Sequence, residues 1–319
     1  MTLQTNSSMK QLKFLISLIT SDNDFQQEQA RAAEETARRM NVDIEIVYAD
    51  GDAITQSQQL LRGIQLQPDL RPDGIVFEAV SGTGLPHVAR AAGAAGIGCV
   101  VLNCNVNYIA ELRNSYSAPL CAITSDHEEI GRIQGRQLGA LLPEGGSVLY
   151  IQGPSNSLPA QQRTVGMSET KPANVEMKMI RGQWTEASAT HAVSAWMRLA
   201  TSRNAAIDVI ACQNDAMAKG ARKAFEELVT VGERKRWLSL PYIGCDGVPK
   251  TGQAWVNKGD LAATVVIPAN TGLAINMLVQ AIQAGSRPPE RTLTELSSYP
   301  SLQALSAKWG EKKHTLALK

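Results

Sequence analysis

Aromatic side chains are scarce in this 319-residue chain, at 5%, and histidine occurs only four times. The four are His87, His127, His191 and His314, and no two stand at His-x-x-x-His or an equivalent metal-binding spacing, so the sequence offers no zinc-type site. Cysteine is nearly as sparse. Cys99, Cys104, Cys121, Cys212 and Cys245 form no Cys-x-x-Cys pair, and five thiols cannot all pair in disulfides. Four of them sit in or beside apolar runs, where a thiol acts as a small hydrophobe. An odd count leans toward a reducing compartment. Net charge is also lacking. At +1 the chain has no overall field to attract nucleic acid or an anionic membrane. Nor is there an apolar run of about 18 residues, which excludes a membrane-spanning helix. No P-loop lysine pattern occurs, and Ser155 and Ser157 lie in a loop without a nucleophile elbow around them.

What is present is regular alternation. Short apolar runs, Leu12 to Thr20, Val42 to Tyr48, Ile75 to Phe77, Gly98 to Leu102 and Leu120 to Thr124, read as strands separated by stretches of helical period. Ala30, Ala33, Ala37 and Met40 mark one helical face; Ile54 to Ile64 and Leu85 to Ala95 mark the next helices. A loop from Asn103 to Pro119 interrupts the rhythm. It resumes with strands at Ser147 to Ile151, Val175 to Ile180, Ile207 to Ala211, Tyr242 to Gly244 and Ala262 to Ile267. The helices between and after them are Glu128 to Leu142, Pro159 to Glu169, Glu186 to Ala200, Asp215 to Leu228, Pro249 to Asn257 and Thr271 to Ala284. Strands alternating with single helices predict parallel sheets covered on both faces. Two such blocks, on a chain too long for one ordinary core, predict two similar doubly wound α/β lobes. Ligands of such sheets bind beyond the carboxyl ends of the strands.

The residues at those ends carry a resemblance. Cys212-Gln213-Asn214-Asp215-Ala216-Met217-Ala218-Lys219-Gly220-Ala221 is similar to the Asn-Asp-x-Met-Ala-x-Gly-Ala of the type 1 periplasmic sugar-binding proteins, the ribose and galactose group that shares its fold with lactose-type repressors. Ile243-Gly244-Cys245-Asp246-Gly247 resembles that family's Gly-Phe-Asp-Gly, and Ile151-Gln152-Gly153 followed by Ala160, Arg163 and Gly166 resembles its Gly…Ala…Arg-x-x-Gly. Each motif alone is weak; their order and spacing over roughly residues 12–290 carry the likeness. It implies a periplasmic-binding-protein-like I fold, two lobes joined by a hinge around an interlobe cleft. The implied lobes are 10–121 plus 268–292, and 122–267 plus 293–319.

The resemblance also implies a site. In lobe two it points to Arg163, Trp184, Asn214 and Asp246; in lobe one to Asn23, Phe25, Gln26, Glu78, Asn103 and Cys104, with Ile267 on a hinge strand. Such residues suit a polyol, whose hydroxyls must each find a partner once water is excluded, with Arg supplying a planar fork of donors and rings facing C–H surfaces. Each has a structural alternative: a turn for Asp246, a solvated helix charge for Arg163, packing for Phe25 and Trp184, an exposed acid for Glu78. Asp215 reads as a helix cap. The pattern departs from ribose-type relatives at four positions. Glu78 and Asn103 exchange acid and amide, Cys104 replaces an Arg, and Ile267 replaces a Gln, which argues against ribose itself.

The expected function is therefore a non-catalytic solute-binding protein that traps a sugar or polyol-like ligand by hinge closure and delivers it to an ABC permease, with no cofactor and no metal. A ligand sensor docking a kinase, chemoreceptor or regulator is the alternative; an enzyme on the same fold is a remote one, since Gly82-Thr83-Gly84 lacks the third glycine and the following acid of a dinucleotide site. Too few residues precede the first strand for a repressor's DNA-binding part. A periplasmic setting is implied by the resemblance. Lys10 and Lys13 before Phe14 to Ile19 make a poor signal peptide and a good first strand, so the expectation divides between an export signal removed ahead of this numbering and a cytoplasmic location.

Overall fold

A computed structural model describes residues 11–80, 82–203, 205–228 and 231–317. The chain divides into two compact units, one of residues 11–21 with Gln29–Ile123 and Asn270–Thr292, the other of Asp22–Glu28, Thr124–Ala269 and residues 293–317. The segment Asp22–Glu28, and with it Asn23, Phe25 and Gln26, groups with the second unit, whereas the sequence placed these three residues in lobe one.

The first half of the chain runs β1 (Lys13–Leu18), α1 (Asp24–Met40), β2 (Asp43–Tyr48), α2 (Ala53–Ile64), β3 (Gly74–Glu78), α3 (Pro86–Ala94), β4 (Gly98–Leu102), α4 (Tyr108–Ser115) and β5 (Leu120–Thr124). The second half runs α5 (His127–Leu141), β6 (Gly146–Gln152), α6 (Leu158–Thr170), β7 (Val175–Arg181), α7 (Glu186–Met197), the single turn α8 (Ala200–Arg203), β8 (Val209–Cys212), α9 (Asp215–Leu228), α10 (Val231–Ser239) and β9 (Tyr242–Ile243). After a π-helical turn at Pro249–Gln253 come α11 (Ala254–Lys258), β10 (Thr264–Val266), α12 (Thr271–Ala284), β11 (Arg291–Leu293), β12 (Ser297–Tyr299) and α13 (Leu302–Ala317).

In the first unit the sheet order is β11-β5-β4-β3-β1-β2, with β1 to β5 parallel throughout. Its central strands β3, β4 and β5 are buried along their whole length, which is why they read as unbroken apolar runs. Alternate residues feed two cores. Leu15, Ile75, Phe77, Cys99 and Val101 pack under α2, α3 and α4, while Phe14, Ile16, Val76, Val100 and Cys121 pack against α1 and α12.

The second unit repeats the scheme with a parallel sheet β7-β6-β8-β9 and an antiparallel pair β10-β12. Leu149, Ile151, Ile210 and Cys212 face α7 and α9, and Val148, Tyr150, Val209 and Ala211 face the opposite side with Met167 of α6 and Leu305 of α13. The Trp237 ring of α10 stacks on Phe225 (4.7 Å between centroids) and meets the Trp196 edge at 5.7 Å, closing the end of that core. The sequence rhythm missed α4, α10, β11, β12 and α13. Helix α4 lies in the expected loop and buries only Ile109 and Leu112, too few positions to show a period. Among the described residues no helix is long and apolar enough to cross a membrane, and no cluster of His, Cys, Asp or Glu is placed to hold a metal.

Candidate functional site

The order of each sheet reverses at its first strand, β1 between β2 and β3, and β6 between β7 and β8. The carboxyl ends beside those reversals are where an open α/β sheet binds ligands. Most of the sequence-singled residues lie there.

In the second unit, Arg163 sits in the second turn of α6 and is 7% exposed. One guanidinium nitrogen donates to the Gln213 carbonyl just beyond β8, and the guanidinium carbon lies 5.3 Å from the centre of the Trp184 ring. Its buried Nε has no hydrogen-bond partner among the described residues. A buried donor left unpaired costs about 1–3 kcal/mol. Trp184 follows β7 at φ 66, a conformation rare for a bulky residue. Its carbonyl accepts from Asn214 Nδ2 at 2.8 Å and from Asn23 Nδ2 at 3.1 Å, which holds the strained turn in place. The ring lies over the backbone of Gly153, where a Cβ would collide with it.

Asn214 and Asn23 each use the other end of the amide as a helix cap. Asn214 Oδ1 accepts from Met217 N at 2.9 Å, and Asn23 Oδ1 from Gln26 N at 3.0 Å. The expectation that Asp215 caps α9 is corrected by this geometry. Asp215 is buried beneath the loop, its carboxylate accepting from Thr264 Oγ1 at 2.8 Å and Gly247 N at 2.8 Å, because the preceding Asn already occupies the capping place. Asp246 stands at φ 110 in a bridge to Val266 and is buried, its carbonyl accepting from Ile267 N at 2.9 Å. Phe25 and Ile267 pack into one apolar cluster with Ile130, Ile133, Cys245 and Val265.

In the first unit, Glu78 closes β3 and pairs in register with Leu102, so Glu78 and Asn103 end neighbouring strands. Asn103 stands at φ 52 and is 6% exposed. Cys104 follows it, buried, its thiol pushed up to about 11 by burial and then by the Glu78 charge; it is no nucleophile at neutral pH. Among the six described non-glycine residues with positive φ, three are Asn103, Trp184 and Asp246, each just past a strand end. Such strain costs on the order of 1–3 kcal/mol and gathers where side chains must be aimed.

Gln213 was not singled out by the sequence, yet it ties together the strand ends of the second unit. Fully buried, it accepts from Gly153 N at 2.8 Å and donates to Tyr150 Oη at 2.8 Å and the Ala160 carbonyl at 2.9 Å. Its only sequence signal was a polar residue between an apolar strand and a helix cap.

A model of the periplasmic binding protein domain matches residues 14–286. The chain belongs to this family. Of its relatives, the D-allose-binding periplasmic protein of Escherichia coli (strain K12) is 25% identical over 293 residues, covering 88% of each chain. Among solved structures, a galactofuranose binding protein superposes with a TM-score of 0.77 at 20% identity over 95% of this chain and 99% of that one. An ABC transporter periplasmic solute binding protein from Actinobacillus succinogenes 130z with bound D-allose gives 0.74 at 18% identity, over 90% and 97%. The members of the family are binding proteins rather than enzymes.

Proposed function

We propose that this chain is a non-catalytic solute-binding protein that takes a neutral carbohydrate, other than ribose, outside the cytoplasm and presents it to an ABC-type importer. The observation that carries the reading is the Arg163 guanidinium, buried over the Trp184 ring with its Nε–H unpartnered among the described residues. A charged donor fork beside an aromatic face is the chemistry a sugar needs: hydroxyl oxygens accept from the guanidinium while ring C–H groups lie on the indole. Family membership and the D-allose-binding relative support the same class of ligand. In this reading Glu78, as acceptor, and Asn103 are the hydrogen-bonding groups that the first unit's strand ends offer a carbohydrate. A micromolar dissociation constant corresponds to about −8 kcal/mol, within reach of a few charge-assisted bonds plus stacking.

A thermal-shift screen against D-allose, D-galactose, D-galactofuranosides, D-fructose, L-arabinose, D-ribose and myo-inositol tests it. A true ligand at about 100 times its dissociation constant adds roughly 2.7 kcal/mol to stability. Arg163→Ala should weaken that ligand by about ten- to a hundredfold and abolish its tryptophan fluorescence response, while ligand-free stability falls by about 1–3 kcal/mol as the Gln213 carbonyl loses its donor. Wild-type affinity in Arg163→Ala would remove the site from this place.

A further inference from the structure

Behind Asn103 the first unit buries a chain of amides whose polarity is fixed at both ends. The backbone N–H groups of Asn270 and Thr271, at the start of α12, donate to Gln29 Oε1 at 2.9 and 3.0 Å. Backbone N–H groups can only donate, so this end of the Gln29 amide must be oxygen. Gln29 Nε2 is therefore the end that reaches Asn270 Oδ1, at 2.8 Å. Asn270 Nδ2 in turn donates to Asn103 Oδ1 at 2.8 Å and to the Ile123 carbonyl at 3.3 Å. A carbonyl can only accept, which fixes Asn270 a second time. Gln29 and Asn270 are 0% and 1% exposed, so water does not compete for these bonds.

From this relay we infer that Gln29 and Asn270 are positioning residues that set which end of the Asn103 amide meets a bound sugar. With Oδ1 held by Asn270, Asn103 turns its Nδ2 donor the other way, while Glu78, at the end of the neighbouring strand, brings an acceptor-only carboxylate. The pair then selects a sugar whose adjacent hydroxyls accept from one residue and donate to the other. The inference rests on the reading of Asn103 as a ligand residue given above, and extends it from contact to specificity.

Calorimetric titration of D-allose, D-galactose and D-ribose, each with its monodeoxy and monodeoxyfluoro analogues, separates the two. Fluorine accepts weakly and never donates. Wild type should lose about tenfold for the deoxy analogue at one ring position and less for the fluoro analogue there. In Asn270→Asp the new carboxylate accepts from Asn103, the Asn103 amide turns over, and its oxygen faces the sugar. The order then reverses, with the fluoro analogue weaker than the deoxy. Asn103→Asp should show the same reversal by direct contact, and Asn270→Ala should bring the two analogues together. A purely structural role for Asn270 would lower all three affinities in parallel; that result, with reversal in Asn103→Asp, overturns the relay alone. Analogue affinities unchanged in Asn103→Asp would instead remove Asn103 from the ligand site, and the proposed role of the first unit with it. Should wild type bind none of these sugars, the carbohydrate reading fails for them and unfolding still judges the relay. In a Glu78→Gln background, which removes the neighbouring carboxylate, Asn103→Asp keeps an acceptor toward Asn270 and should unfold close to that background, whereas a loss as large as that of Asn103→Leu would show the amides facing the other way.

Discussion

The Asp215 carboxyl is wholly enclosed, and burial pushes its pKa from 3.8 up to about 7 against the opposing bonds from Thr264 and Gly247. The nearby Asp24 charge adds to the rise, and Asp24 is itself raised by burial. Between these two pH values the folded chain holds a proton that the unfolded chain has released. Stability must then fall as pH rises through that window and level off above about 7. Asp215→Asn, which keeps an acceptor for Thr264 and Gly247 without the ionisation, should gain on wild type as pH rises from about 5 to 8. Parallel unfolding curves for the two proteins would show that Asp215 stays ionised. At this scale the sequence was only partly legible. Asn214-Asp215 contains one cap and one buried acid, and both residue types suit either place; the assignment depends on Gly244 and Gly252, whose missing side chains make room for the carboxylate. Gln29 and Asn270 were illegible for a related reason: they are 241 positions apart, and nothing local says that they meet.

At the scale of elements, Arg163 is placed by the packing of α6 on α5. A Cβ at Gly131 would run into the Arg163 carbonyl, and one at Gly166 into the Glu128 carbonyl, so both helices meet backbone to backbone at this point. Gly135 faces Thr170 and Lys171 in the same way. Gly131→Ala or Gly166→Ala should destabilise by about 1–3 kcal/mol, as overpacking does, and shift Arg163 away from Trp184. The check is ligand affinity against the stability of the free protein: Gly139→Ala, which meets only the Pro172 ring at ordinary contact distance, should leave both near wild type. Equal affinity in all three would mean that α6 does not set the guanidinium. The strands were the most legible elements, because full burial of β3, β4, β5 and β8 forces continuous apolar runs. Edge strand β7, with Glu176, Lys178 and Arg181 exposed, was legible by alternation instead. Helix α10 was hidden by its run Glu233 to Arg236, which is solvent-facing around a single buried anchor, Trp237.

For the whole molecule, two α/β units with the same strand reversal follow from one repeated rhythm, and the rhythm was readable because each βα step is local. Charge balance is the property that sequence alone fixes and that bears on binding. A chain of net charge +1 carries almost no long-range field, and a neutral sugar would feel none of it in any case. In the proposed reading the ligand carries no charge, so its bonds to Arg163 leave salt no ion pair to screen. Both the association rate and the affinity should therefore stay flat when ionic strength rises from about 0.05 to 0.5 M, a range over which the screening length falls severalfold. Stopped-flow tryptophan fluorescence with the sugar identified by thermal shift measures this directly. An affinity that drops steeply with salt would point to an anionic ligand paired with the guanidinium, and would replace the neutral carbohydrate with a sugar acid or phosphate.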